Sequence, residues 1–459
     1  MNAQTAAAQN MGAGLTAALV TRTRAITYGA LPSNVRELAL QCARDWFAVT
    51  IAAADQSLPA LLLEHALAEG GRPLASIVAR SAKVAPLQAA LINGATAHML
   101  DYDDVNLSMN GHPSAVIMPA LLAAAEPLHA AGADLIAAFV AGYETACRVG
   151  LLVAPGHYAR GYHATATVGA VAAAAGCAHL MKLNAAQTAA ALGIAATQAA
   201  GLKSMFGTEC KPFHAGLAAQ SGLRAAQLAA RNMDSRMDVL ECAQGFAATL
   251  SPNCNPQAIL GNPDKFYILE NLFKYHASCY GTHSALECVR QLREAHGVEP
   301  AMIKHAIVRV EQGSNGVCNI QNPRNGLEAK FSVRFMTALG LAAVDTSDLA
   351  VYSEATAAEP ALCALRDRIT VELVSGWTSM QTEIILELVD GRRLTAMTDA
   401  GVPATDFAGQ GRRVTAKFER LVTPVLGASR GRDLLSLLQR LDQTGVDELM
   451  AAASLPAGA

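Results

Sequence analysis

Apolar positions recur at helical spacing from about residue 32 to about residue 250, broken only by short Gly, Pro and Asn punctuation. Pro32-Ser-Asn-Val-Arg-Glu37 predicts a helix start with Asn34 as cap and Glu37 three residues on. Leu38, Cys42, Phe47 and Val49 carry the apolar face of that helix through about Asp55. Pro86 to His98 and Ser114 to Ala125 read as buried helices rich in small residues. Asp134 to Glu144, Thr165 to Leu180, Ala185 to Ala199 and Ala215 to Arg231 read as further helices. Alanine and glycine at this density let helix backbones approach closely. Residues 1 to about 14 have no amphipathic period and are expected to form a disordered tail.

The texture changes after about Asn271. His305 to Glu311, Thr370 to Val374 and Thr382 to Leu388 are rich in β-branched residues and partly alternate, as strands do. Asp390-Gly391 followed by Arg393 to Met397 is a hairpin signal. Between the first two strands lie a predicted helix, Leu327 to Val344, and a stretch from Asp345 to Arg368 with helical pieces. Asp433 to Leu441 and Val446 to Ser454 return to helix. The expected fold is mainly α. A large helical domain would comprise residues 15–271 and 408–459, and a smaller α/β lid domain residues 272–407. The cleft between them is the natural place for a ligand.

The chain of 459 residues exceeds the usual size of one hydrophobic core, which agrees with two domains. Charged residues make up 16% of it, a low share that points to surface buried in an oligomer. A net charge of −3 gives no reason to invoke nucleic acid or an anionic membrane as partner. Ten cysteines lie singly, without a Cys-x-x-Cys pair, which argues against a zinc site or an iron–sulfur cluster of the usual spacing. No secretory signal is expected at the N-terminus, and a reducing cytoplasm fits. The longest uncharged run, Leu183 to Leu202, carries Asn184, Gln187, Thr188, Thr197 and Gln198, so it reads as buried helix rather than membrane span.

Against this apolar background four polar stretches stand out. Asp101-Tyr-Asp-Asp-Val-Asn-Leu-Ser-Met-Asn-Gly-His-Pro113 joins two apolar helices and brings acids and an imidazole to one loop. Helix capping and solvation explain its acids equally well. Gly156 to Gly169 is a glycine-punctuated loop in which His163 precedes a helix start, where backbone N–H groups favour an anion. Ser204 to Gly216 sets Lys211 directly before Pro212 at the mouth of a helix, a place suited to a carboxylate. Lys274 to His283 opens the α/β region. Taken one at a time, His112, His163, Lys211 and His283 are equally readable as ordinary surface or core residues. There is no nucleophile elbow, phosphate loop, dinucleotide fingerprint or His-x₃-His pair. What remains is a set of cationic and proton-transferring side chains with no metal or cofactor implied. Such a set suits removal of a proton next to a carboxylate, with cations stabilising the enolate-like charge.

His98-Met-Leu-Asp-Tyr-Asp-Asp104, Gly111-His-Pro-Ser114, Gly161-Tyr-His-Ala-Thr165, Gly207 to Gly216 and the Lys274 to His283 segment resemble the MmgE/PrpD family over about residues 15 to 450. The family includes 2-methylcitrate dehydratase, cis-aconitate decarboxylase and iminodisuccinate epimerase. The resemblance implies a helical domain built from both chain ends, an α/β lid, a homodimer and no metal requirement. It places Asp101, His112, His163 and Lys211 at active-site positions, holding the carboxylates of a small polyacid and moving its protons. Tyr158 joins them as a candidate catalytic residue, and Asp104, Tyr162, Cys279, His283 and Asn319 are candidate substrate-binding residues.

Departures speak against the decarboxylase branch. Val105 stands where that branch has threonine, Cys279 where it has histidine, and Asn319 at the position of its lid tyrosine. The acidic loop is about one residue longer, and the family's proline near Ala277 is missing. The expected activity is thus a cofactor-independent hydro-lyase acting on a small di- or tricarboxylic acid, like 2-methylcitrate dehydratase. Tyr158 or Tyr162 opposite Lys211 would instead suit two-base epimerisation of an amino- or imino-diacid. A metabolite-binding protein without catalysis is the reading from another class.

Overall fold

The computed structural model describes residues 14–455, so the tail expected over 1 to about 14 lies, but for Gly14, outside the described residues. The chain is mainly helical, with a smaller α/β part, and it divides into two compact units. One unit holds the residues up to Phe273 together with those from Thr405 onward; the other is Lys274–Ala404.

The first unit is built on α1 (Ser33–Ala53), α2 (Pro86–His98), α3 (Pro113–Ala125), α4 (Gly132–Val153), α5 (Ala164–Leu180) and α6 (Cys210–Ala230), with α9 (Phe407–Leu426) returning to pack on α1. Almost every residue of α3 and α5 is buried, which is why their sequences show no polar face. Small residues set the spacing between α2 and α6. A Cβ on Gly216 would stand 2.2 Å from the Leu91 carbonyl oxygen, and one on Gly94 would stand 2.9 Å from the Gly216 Cα. The two backbones therefore touch, and the first turns of α6 are carried to the C-terminal end of α2. By length and composition α4 could cross a bilayer, and 94% of its apolar window is buried inside the protein.

The second unit carries α7 (His283–His296), α8 (Val333–Leu341) and a four-stranded sheet of β1 (Ile303–Glu311), β2 (Ile369–Val374), β3 (Gln381–Leu388) and β4 (Arg393–Asp399) in the order β2-β1-β3-β4. β1 runs parallel to β2 and antiparallel to β3, with Val308 opposite Val371 and Ile384. The parallel pair needs a long crossover, which α8 and the short helices around it supply. Ala306, Val308 and Val310 alternate inward with Ile384 and Leu386, packing with Ala285, Cys288, Val289 and Leu292 of α7. The hairpin at Asp390-Gly391 forms as its sequence predicts, with Gly391 at φ 87°.

Four expectations differ in detail. Extended Pro32, not Asn34, precedes α1, while the Asn34 side chain accepts from the Val35 N–H at 2.9 Å. α6 begins at Cys210 rather than Ala215, because proline is tolerated in a first helical turn. The single helix expected over Leu327 to Val344 is two, broken where the Ser332 side chain caps α8 by accepting from the Phe335 N–H at 3.2 Å. α9 was not anticipated, although Val414, Phe418, Leu421 and Val422 mark a buried helical stripe.

Candidate active site

His98 ends α2 and His112 stands just before α3, so the loop between them spans two helix ends. Its inner side is pinned: Asn106 and Gly111 pair through their backbones at 3.0 and 3.3 Å, and Val105 pairs with Leu272. A Cβ on Gly111 would lie 2.8 Å from Thr165 Oγ1, so only glycine lets the loop press on the start of α5. There Thr165 Oγ1 accepts the His112 N–H at 3.2 Å. Asp101 sits in the left-handed region at φ 51°, three residues beyond the end of α2.

Around this loop the polar groups converge. Lys211 Nζ lies 2.7 Å from Asp101 Oδ1, and His112 Nε2 lies 3.7 Å from the same oxygen. Asp103, fully buried, sits between two imidazoles: His98 Nδ1 is 3.0 Å from both its oxygens, and His112 Nδ1 is 3.0 Å from Oδ2, bent off the hydrogen-bond line. The rings of His98 and His112 are 4.4 Å apart, and that of His163 is 5.9 Å from His98. His163 Nδ1 meets His214 Nδ1 at 3.2 Å, so one of the two nitrogens must carry a proton. Phe206 edges against His163 at 4.9 Å, with the Lys211 ammonium 5.4 Å from its ring.

Burial decides which of these groups carry charge. It lowers His98 to about 4 despite Asp103, and it holds His163 well below the usual imidazole range, helped by His98 and the Lys211 ammonium. Burial alone lowers His214. For Asp103 burial works the other way, raising the carboxyl, but the adjoining imidazoles outweigh it and keep Asp103 ionised. The site thus combines an ammonium, a buried carboxylate and, at His98, His163 and His214, imidazoles held toward the neutral form. By spacing alone, donor atoms of His98, Asp101, Asp103 and His112, all within 4.8 Å of one another, could hold a metal ion. A search of the sequence for two histidines on one helix does not find such a set, because its members come from a helix end and the loop beyond it. The Lys211 ammonium already places a positive charge on Asp101.

Asp101, His112, His163 and Lys211, far apart in sequence, are therefore brought together. The other candidates have contacts of their own. Tyr158 stacks under the Lys203 ammonium, 3.6 Å from its ring centroid, and Tyr162 stacks on His157 at 5.0 Å. Asp104 is buried on the far side of the loop, where Ser114 Oγ donates to it at 2.6 Å. Cys279, His283 and Asn319 belong to the second unit. Cys279 is buried beside Cys318, and burial holds His283 well below the usual imidazole range. Asn319 Nδ2 donates to Asn315 Oδ1 at 2.9 Å.

Sequence reasoning overlooked His98, Asp103 and His214. The signals were present: His98 and Asp103 stand five positions apart within the acidic motif, and Lys211 and His214 share one face of α6 at i, i+3.

Comparison with known proteins agrees with the resemblance drawn from the motifs. Residues 17–258 match the MmgE/PrpD N-terminal domain and residues 276–443 the MmgE/PrpD C-terminal domain. The chain belongs to the MmgE/PrpD family. It is similar to the cis-aconitate decarboxylase of Aspergillus terreus, 24% identical over 412 residues that cover 83% of this chain and 84% of the relative. The Homo sapiens cis-aconitate decarboxylase is 25% identical over 389 residues, 78% of this chain and 77% of the relative. A cis-aconitate decarboxylase-like protein of Aspergillus oryzae is 29% identical over 235 residues, 48% of this chain and 49% of the relative.

Proposed function

We propose that the protein is a lyase acting on a small di- or tricarboxylic acid, and that its reaction begins by removing a proton next to a carboxylate. The observation that carries this reading is the meeting of the Lys211 ammonium and the His112 imidazole at Asp101, 2.7 and 3.7 Å from one oxygen. An ammonium in a half-buried site attracts a substrate carboxylate and stabilises enolate-like charge, while a neutral imidazole accepts the proton. In the hydro-lyase form the C–H proton passes to an imidazole and the C–O bond breaks. The leaving hydroxide takes a proton from a neighbouring acid, giving an alkene and water.

Decarboxylation is the second reading, supported by the names of the relatives. Against it stand Val105, Cys279 and Asn319, which depart from the decarboxylase branch. The epimerase reading needs a tyrosine opposite Lys211, whereas Tyr158 and Tyr162 engage Lys203 and His157.

Incubation with citrate, 2-methylcitrate, cis-aconitate and amino-diacids in D₂O separates the three. A new alkene absorbance without gas marks dehydration, CO₂ release marks decarboxylation, and deuterium uptake without a chromophore marks epimerisation. No reaction or exchange with any acid, together with a raised melting temperature, would replace the enzyme reading by simple binding.

A further inference from the structure

We propose that Asp103 is a positioning residue. Its buried carboxylate holds Nδ1 of both His98 and His112 as the protonated nitrogens, so that each Nε2 is a lone pair and His112 presents a proton acceptor beside Asp101 and Lys211. That use of His112 rests on the reading of the site as a proton-transferring one.

The argument starts from Asp103 itself. Its carboxylate is wholly buried, and both nearby nitrogens are Nδ1 atoms at 3.0 Å, that of His98 within hydrogen-bond geometry and that of His112 close but bent off the hydrogen-bond line. A buried carboxylate needs donors, and if either imidazole turned its lone pair toward it the penalty would be that of an unsatisfied charge. A neutral imidazole carries one N–H, so donation from Nδ1 leaves Nε2 basic. His98 fits this account: its Nε2 is buried and meets no hydrogen-bond partner. For His112 the two nitrogens face different carboxylates. Nδ1 is 3.0 Å from Asp103, while Nε2 is 3.7 Å from Asp101, whose charge already meets the Lys211 ammonium. The nearer carboxylate, which has no ammonium beside it as Asp101 has, takes the proton. The same division of labour, an orienting acid behind a working imidazole, fixes tautomer and ring direction wherever histidine acts as a base.

The test reads tautomers directly. The full chain, labelled with ¹⁵N-histidine, gives long-range ¹H–¹⁵N patterns that distinguish Nδ1–H from Nε2–H, with signals assigned through His98→Gln and His112→Gln. The expected result at neutral pH is Nδ1–H at both rings in the wild type. In Asp103→Asn, where one oxygen becomes an NH₂ donor, at least one ring should change. Asp103→Asn is further expected to lower kcat by about tenfold to a hundredfold with little change in KM. Asp103→Glu should restore part of that loss. A wild-type His112 with its proton on Nε2 overturns the proposal and needs no variant to fold. So does an Asp103→Asn protein whose two rings are unchanged. If the tautomers are as stated but the wild type transforms no acid, the proposed function fails while the hold of Asp103 on the rings stands.

Discussion

Asp103 and Asp104 are neighbours in the chain and equally buried, yet they face opposite sides of one loop and are held in opposite ways. Asp103 looks toward the histidines, whose imidazoles outweigh the effect of burial and hold its carboxyl well below the usual carboxylate range. Asp104 looks into the helical core, where burial and the charge of Asp45 push it up to about 7. Its own partners, the Ser114 hydroxyl and the Cys42 thiol, only partly offset that rise. Behind it Lys417 of α9 lies 2.6 Å from Asp45 and donates to the Tyr102 carbonyl at 2.7 Å, tying the C-terminal part of the chain to the loop. One side of the loop thus carries the groups of the proposed site and the other ties the loop to the helical core. The Asp45–Lys417 pair joins parts of the chain far apart in sequence.

That contrast can be broken from either side. The largest effect is expected from Lys417→Ala, which leaves Asp45 buried without its ammonium and should cost about 3–5 kcal/mol of stability in denaturant titration. A cost below about 1 kcal/mol would falsify the anchoring role. On the opposite side, Lys211→Ala should lower turnover about a hundredfold or more, with a smaller loss of stability than Lys417→Ala because Lys211 and Asp101 keep some contact with solvent. Wild-type turnover in that variant would remove Lys211 from the mechanism.

Asp104→Asn sharpens the comparison through pH. A folded value near 7, above the ordinary 3.8, means that the contribution of Asp104 to stability is fully present below about 3.8 and is lost as pH rises through about 7. The melting temperature of Asp104→Asn relative to wild type should therefore be higher at pH 8 than at pH 5, by roughly a few degrees. An offset that does not change with pH would mean that Asp104 is already ionised at pH 5. The smallest effect is expected from His214→Ala, which removes the partner of His163 Nδ1 but no group that meets Asp101. Turnover should fall by about threefold to tenfold, and a loss as deep as that of Lys211→Ala would make His214 a principal member of the site.

The helical part of the molecule is legible in the sequence because its punctuation is regular: Pro86 to His98 is predicted and observed at the same bounds. The strands are legible through their β-branched residues, and the hairpin through Asp390-Gly391. Asp101, His112, His163 and Lys211 stood out as polar interruptions of apolar runs, each open to an ordinary reading by itself, and the resemblance of their motifs to the family gave them a common site. The division between Asp103 and Asp104 could not be read, since two identical side chains one residue apart differ only in what folding sets against them. His98 and His214 were hidden for a related reason. His98 closes one otherwise ordinary helix and His214 sits within another, and folding alone sets Asp103 and His112 beside the first and His163 beside the second.

The left-handed backbone at Asp101 narrows what can stand at that corner. Aspartate, asparagine and glycine visit this conformation readily, whereas β-branched residues do not. Of those three only aspartate offers a negative charge to Lys211, so sterics and electrostatics independently select the same amino acid. Divergence toward a new substrate therefore has little freedom here and more at positions such as Val105, where the chain imposes no comparable double demand. For mutagenesis the lesson is practical: asparagine alters the charge at this corner while sparing the turn, and valine would confound the two.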